Sequence, residues 1–513
     1  MNLHKSVVTE SGFAKPDPFD NNIIWSGCYD GGLERYDLTT GYAREVRVWP
    51  EAGYGWAPAD LKYRWHWNFP LNFSPHIKHR VYVGSQFVHK SDDGGQSWQV
   101  ISPDLTLNRK DHQQNSGGIA VDNLMTFDGA TLFAIEESPL EAGLIWTGSN
   151  DGQIQLSRNG GETWKNVTKN IPNLPPWGTV SSIHPSKYKK GTAYIAIDLH
   201  QMGDFGTYLY KTSDYGIHWK SIVGDVPQSV HSFAHVLKED PKKEGMLYLG
   251  LDNSLLISID DGTHWMYLKN NLPPAPIYWL EVQENYDDLI VSTYGRGYYI
   301  LDDLSPLRQF DPNLKEFPQV FDPRKSYRLN NKESIKTDGY SFNSGMNPAY
   351  GTPINYYLPD TLTERIFIEI RDEKNEIIRT LKGSNNPGIN RITWDLRYEP
   401  TYKPQLRTRP FGRPWVQLNG EGWRPLVTWD LDLLSGQYGP RVVPGKYKAL
   451  INIDNVSFEK DLMVLKDPLA QGSLADVKEQ VHFSLTLREA MNTAVTLSLI
   501  HISEPTRLLS SAD

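Results

Sequence analysis

The chain has 513 residues, a formal net charge of -9, 16 Trp, 27 Tyr, 41 Gly and 34 Pro, and Cys28 as its one cysteine. A lone cysteine excludes an internal disulfide, and no apolar run approaches the ~20 residues a membrane-spanning helix needs. An acidic balance without a basic block argues against nucleic acid as a partner. Aromatic, glycine and proline usage at this length predicts many short strands joined by turns, in more than one domain.

The first residues, Met1-Asn2-Leu3-His4-Lys5-Ser6, lack the apolar core of a secretion signal. From there one unit repeats. An apolar strand ends at an x-Pro corner: Asp17-Pro18, Ser74-Pro75, Ser138-Pro139, His184-Pro185 and Asp240-Pro241. A second strand follows at 23–27, 81–84, 144–148, 193–196 and 247–250. A short third strand leads into a turn of the pattern Ser/Thr-x-Asp-x-Gly-x-Ser/Thr-Trp, and a fourth strand opens on its Trp. The turn occurs at 91–98, 157–164, 212–219 and 258–265. In it Asp93, Asn159, Asp214 and Asp260 are expected to accept backbone amides two residues on. Gly95, Gly161, Gly216 and Gly262 supply a positive φ, and Trp98, Trp164, Trp219 and Trp265 bury their rings between sheets.

Four strands per unit, repeated, predict the blades of a β-propeller. The first unit carries Arg35 to Gly41 where the turn would sit, and the sixth, Asp288 to Asp303, has no such turn and reads as a closing blade. Five full units and a sixth partial one begin almost at Met1, so part of a larger array is expected upstream. The repeat stops at Leu307. Residues 308–333 read as a linker, and 334–468 as a β-sandwich, with strands at 366–370, 390–395 and 443–451 and an irregular insertion from Tyr402 to Gly439. Ser473 caps a helix with Asp476 three residues on, and Leu474, Val477, Val481 and Leu485 share one face of it. That helix is expected within 469–496.

The fourfold turn is similar to the Asp-box of sialidase-like propellers. With Val48-Trp49-Pro50-Glu51, Asp60-Leu61-Lys62-Tyr63-Arg64-Trp65, Trp177-Gly178-Thr179-Val180-Ser181-Ser182 and Tyr294-Gly295-Arg296-Gly297, the chain resembles the bacterial Asp-box (BNR) propeller proteins called sortilin-like or glycosyl-hydrolase-like. The segment from Gly388 to Asp395, with Pro444-Gly445-x-Tyr447, resembles an Ig-like or fibronectin-like sandwich. The expected fold is therefore all-β: an Asp-box propeller of about six visible blades (1–307), a sandwich, and a short helix. Leu497 to Asp513 resembles a translated sequencing adapter and is set aside as a scar, so the chain reads as a fragment. The resemblance implies an exported protein, periplasmic or extracellular.

Family motifs for chemistry do not transfer. The Phe/Tyr-Arg-x-Pro of sialidases is missing, as are the cysteines of the sortilin module, and no pair of xyloglucanase Asp residues can be matched. No Gly-rich phosphate loop, metal-spaced His/Cys cluster or G-x-S-x-G elbow is present, so no metal or cofactor is expected. Propeller ligands usually meet the face opposite the boxes. There the sequence places Tyr63, Arg64, Trp65, His66, Asp151, Trp177, Asp252, Tyr294 and Arg296, together with Asp198 and His200 on that face's longest loop. Aromatic faces stack on sugars while carboxylates and Arg bond hydroxyls, so these are the ligand-binding candidates, with Asp198 the catalytic one. Each has a structural reading too. Asp151 and Asp252 fit turn caps, Trp65 and Trp177 fit core, Arg64 and Arg296 fit ion pairs between blades, and His76, His184 and His235 fit structural roles. Two functions result: a binding module for a glycan or peptide, or a glycoside hydrolase with an Asp/Glu acid–base pair.

Overall fold

The structure is a computed structural model that describes residues 12–51, 53, 55–114, 130–329, 345–403, 409, 412, 414–422, 438–454 and 456–503. Met1 to Ser6, the end of the expected linker (330–333), the expected start of the sandwich (334–344), most of the Tyr402–Gly439 insertion and residues 504–513 lie outside it. The chain divides into two compact units, Met1–Leu301 and Asp302–Asp513.

The first unit is six antiparallel sheets, each made of consecutive strands. Blade 1 runs Ala14–Asp17, Asp20–Gly27, Leu33–Asp37, Tyr42–Glu45, and blade 2 Leu71–Phe73, Val81–Gly84, Val88–Ser91, Gln99–Val100. Blade 3 runs Leu132–Glu137, Ile145–Ser149, Ile154–Ser157, Lys165–Asn166, and blade 4 Thr179–Pro185, Ala193–Asp198, Tyr208–Thr212, Lys220–Ser221. Blade 5 runs Ala234–Glu239, Leu247–Leu251, Leu255–Ser258, Met266–Tyr267, and blade 6 has three strands, Ile277–Gln283, Asp288–Thr293, Tyr298–Leu301. The inner strands of blades 2 to 6 pack against one another in succession. Blade 1 meets blade 6 where Phe13 sits edge-on to Trp279 at 5.1 Å. Lys15 lies 5.6 Å and Lys238 4.5 Å from that ring, which brings inner strands of blades 1, 5 and 6 together. This is an all-β propeller.

The second strands of blades 2 to 5 are covered on both faces by their neighbours, which is why they read as unbroken apolar runs rather than alternations. Leu247–Leu251 is buried at every position, and Trp25, Tyr82, Trp146, Tyr194 and Tyr248 are fully enclosed. The x-Pro corners end the inner strands, and the side chain before the proline closes the bend at Asp17, Ser74, Ser138 and Asp240, while Ser186 does so after Pro185. Asp240 accepts from the amides of Lys242 and Lys243 at 2.8 and 2.9 Å, and Ser74 from those of His76 and Ile77.

The repeated turn works differently from the expected two-residue span. Asp93 accepts from the amides of Gln96 and Ser97, three and four residues on, each at 2.9 Å, and from the hydroxyls of Ser91 and Ser97. Those donors, Ser97 first, hold its carboxyl down to about 2. Asn159, Asp214 and Asp260 accept from the amide four residues on in the same way. Gly95 has φ 84°, and a Cβ there would come within 2.9 Å of Val46 and 3.0 Å of Trp25. Glycine is thus required for its dihedral and for the approach of the turn to the preceding blade. The tryptophans then fasten blade to blade. The indole N–H of Trp98 donates to Val46 O, that of Trp164 to Ile101 O and that of Trp265 to Ile222 O, each acceptor just past the outer strand of the blade before. Trp219 instead packs edge-on to Trp146 at 6.1 Å. In blade 1 Asp37, bonded to Thr39, closes the corresponding turn.

In the second unit a three-stranded sheet (Gln319–Val320, Thr352–Leu358, Gly388–Trp394) faces a five-stranded one (Ser326–Arg328, Val456–Lys466, Gly445–Ile453, Phe367–Arg371, Ile377–Lys382). Ile354, Tyr356 and Trp394 meet Ile368, Ile370, Ala449, Ile451, Leu462 and Val464 in one core. The stretch expected as a linker supplies the edge strands Gln319–Val320 and Ser326–Arg328, the latter paired in parallel with Val464–Lys466. Segments of two and three residues are too short to show a period, so sequence could not mark them as strands. The helix runs Leu474–Ser503, past the expected end and into the stretch set aside as a scar. Its start is as expected: Asp476 accepts from Ser473 N at 2.7 Å while Ser473 Oγ accepts from Asp476 N at 3.2 Å. No helix among the described residues is long and apolar enough to cross a membrane.

Candidate functional site

The loops between second and third strands, with the connections between blades, form the face opposite the repeated turns. On blades 4 to 6 this face carries five rings in contact. His200 stacks on Phe233 (4.6 Å), Phe233 meets His235 edge-on (5.2 Å), His235 stacks on Tyr278 (4.3 Å), and Tyr278 tilts against Tyr294 (5.5 Å). Phe205 flanks Phe233 at 6.0 Å.

Two carboxylates hold the imidazoles of this ladder. Asp198 closes the second strand of blade 4, and both of its oxygens face His200 Nδ1, at 2.7 and 2.8 Å. One of them also accepts from the His200 amide, which fixes the loop at its root. Asp252, after the second strand of blade 5, faces His231 Nδ1 at 2.9 Å and His235 Nε2 at 3.4 Å. Burial lowers the His235 pKa, so its ring is neutral and stacks as an uncharged surface. The Tyr278 hydroxyl is pushed up by burial and then by the charges of Asp198 and Asp252. The ladder is open to solvent at Tyr278, 43% exposed, and Tyr294, 72% exposed, and the flanking Phe205 is 40% exposed.

Of the residues singled out from sequence, Asp198, His200, Asp252 and Tyr294 come together here. Arg296 is exposed in the same loop as Tyr294 and donates to Gly295 O at 3.4 Å. The others are placed elsewhere. Arg64 is buried: its guanidinium bonds Asp104 at 2.7 Å and Ala130 O at 3.0 Å, so it ties the connections on either side of blade 2. Asp151 is buried and accepts from Leu107 N and Ser149 Oγ. Trp65 is core, stacked on His89, with Tyr63 edge-on to both. His66 meets Phe133 edge-on, and Trp177 stacks on His112 at 4.6 Å with Arg109 5.9 Å from its ring. Phe205, His231 and Phe233 were not legible as site residues, and His235, expected to be structural, belongs to the ladder. The signal that could have found them is the spacing Phe233-x-His235 at the start of a blade's inner strand. No group of three or more metal-ligating side chains stands together among the described residues.

Two histidines of blade 2 and the connection before it make stability pH-dependent. His89 is buried, with Nε2 2.7 Å from Ser85 Oγ, and burial lowers its pKa to about 3; burial alone lowers that of His66 to about 4. In the unfolded chain both titrate near ~6.5. The unfolded state therefore takes up protons first as pH falls, and the contribution of these groups is complete above ~6.5 and declines toward the folded values. The urea midpoint is expected to fall from pH 7 to pH 5, less steeply in His89→Gln. Equal midpoints at the two pH values would contradict this.

No protein-family model matches the sequence, and no curated protein does. Among solved structures, the GH74 xyloglucanase of Xanthomonas campestris is similar at 16% identity and TM-score 0.41, covering 67% of this chain and 50% of its own. YCF48 bound to D1 peptide is similar at 13% identity and TM-score 0.37, covering 57% and 81%. YCF48 from Cyanidioschyzon merolae matches at 14% identity and TM-score 0.36, covering 61% and 88%. The chain thus spans half the length of the first of these.

Proposed function

We propose that the chain is a binding module of the Asp-box propeller kind that holds a glycan or peptide on the ring ladder of blades 4 to 6. The observation that supports it most is the continuous His200–Phe233–His235–Tyr278–Tyr294 stack, open at Tyr278 and Tyr294. Aromatic faces accept sugar C–H surfaces or apolar side chains, while Asp252, His231 and the Arg296 guanidinium bond hydroxyls or amides. The other reading, a glycoside hydrolase, takes Asp198 and Asp252 as acid and base. It gains from the charges of both carboxylates reaching the Tyr278 hydroxyl, but Asp198 directs both oxygens at His200, which suits an orienting role. An exported setting rests on the resemblance alone.

A panel of plant and microbial polysaccharides and of peptides tests the proposal, read for retention and for reducing-sugar release. Retention without release is expected, reduced in Asp198→Ala because His200 loses its anchor. Release abolished in Asp198→Ala would establish the hydrolase instead.

A further inference from the structure

A cluster of guanidinium groups in the second unit is independent of the ladder. Arg397 and Arg441 face each other across an isolated antiparallel bridge. Arg441 Nη1 donates to Leu329 O at 2.8 Å, which brings it beside Arg328, and Arg328 Nη2 donates to Gln480 Oε1 at 2.9 Å. Arg397 Nη1 donates to Gly439 O at 2.7 Å. Two tyrosines wall the group: Arg441 lies 5.8 Å from the Tyr350 ring and Arg397 5.3 Å from that of Tyr438. Tyr350 is itself fixed, its hydroxyl donating to Tyr327 O and accepting from Leu329 N.

Like charges this close repel, and no ion pair within 4.0 Å joins any of the three to a carboxylate among the described residues. Burial, and then the neighbouring guanidiniums, pull Arg328 and Arg397 below the usual range. Asp395 acts on Arg397, but it lies 3.9 Å from Arg379 as well. The Nε of Arg328 is buried with no hydrogen-bond partner. A chain of net charge -9 that brings three cations together, one of them with an unused donor, has built a place for a negative group. The flat, forked donors of arginine match the oxygens of phosphate and sulfate.

We propose that Arg328, Arg397 and Arg441 bind a phosphate- or sulfate-type oxyanion, free or as the ester of a small molecule. The full chain is titrated with inorganic phosphate, sulfate and a sugar phosphate against chloride at matched ionic strength, following the thermal midpoint. A saturable rise with the oxyanions and none with chloride is expected, and tighter binding of the sugar phosphate would identify an ester as the ligand. In Arg441→Gln the midpoint in chloride rises, because one repulsion is removed, while phosphate affinity drops ~10-fold or more. Arg328→Lys, which keeps the charge and loses the fork, gives the same affinity loss with a smaller change in chloride. No oxyanion-specific rise in the wild type, or a rise of equal size in both variants, would overturn the proposal.

Discussion

Replacing Arg64 with alanine lowers the unfolding free energy of the propeller by about 3–5 kcal/mol, the range for removing one partner of a buried ion pair. The side chain is 4% exposed and its partner Asp104 19%. Without the guanidinium, Asp104 keeps its contact with Thr106 but loses its counter-charge, and Ala130 O loses the Nε donor. Arg64→Lys restores the charge without the fork, so it recovers part of the loss. Urea denaturation with a probe in the propeller reads both variants. A stable Arg64→Ala protein with weakened ligand binding would return Arg64 to the binding face.

That reassignment shows where sequence was legible. The blades were, because blades 2 to 5 repeat one punctuation: the x-Pro corner, the apolar second strand and the Asp/Asn-x-Gly turn ending in Trp. Every one of those signals is local, and local signals survive whatever the blade packs against. The position of a side chain on the ligand face is set by distant segments. Arg64 looks like an exposed cation until Asp104 and Ala130, 40 and 66 residues on, close over it. Asp198 and His200 were legible because one loop holds both. Phe233 was not, since its partner His200 comes from the blade before. In the second unit the edge strands escaped notice for being short, and the arginine cluster for being assembled from positions 328, 397 and 441.

The central claim is that ligand is held by the ring ladder, and Tyr278 is one of its two open rings. Tyr278 joins the His235 ring to Tyr294 and is 43% exposed, so its removal breaks the stack without touching a blade core. Aromatic anchors of this kind carry about 2 kcal/mol or more of binding, which is roughly 30-fold in affinity. The most direct measurement is calorimetric titration of the ligand retained from the panel into the wild type, Tyr278→Ala and Lys187→Ala, the last altering the face of the repeated turns. Loss of about 30-fold in Tyr278→Ala with unchanged affinity in Lys187→Ala is the predicted result. Unchanged affinity in Tyr278→Ala, or loss in Lys187→Ala, would contradict it.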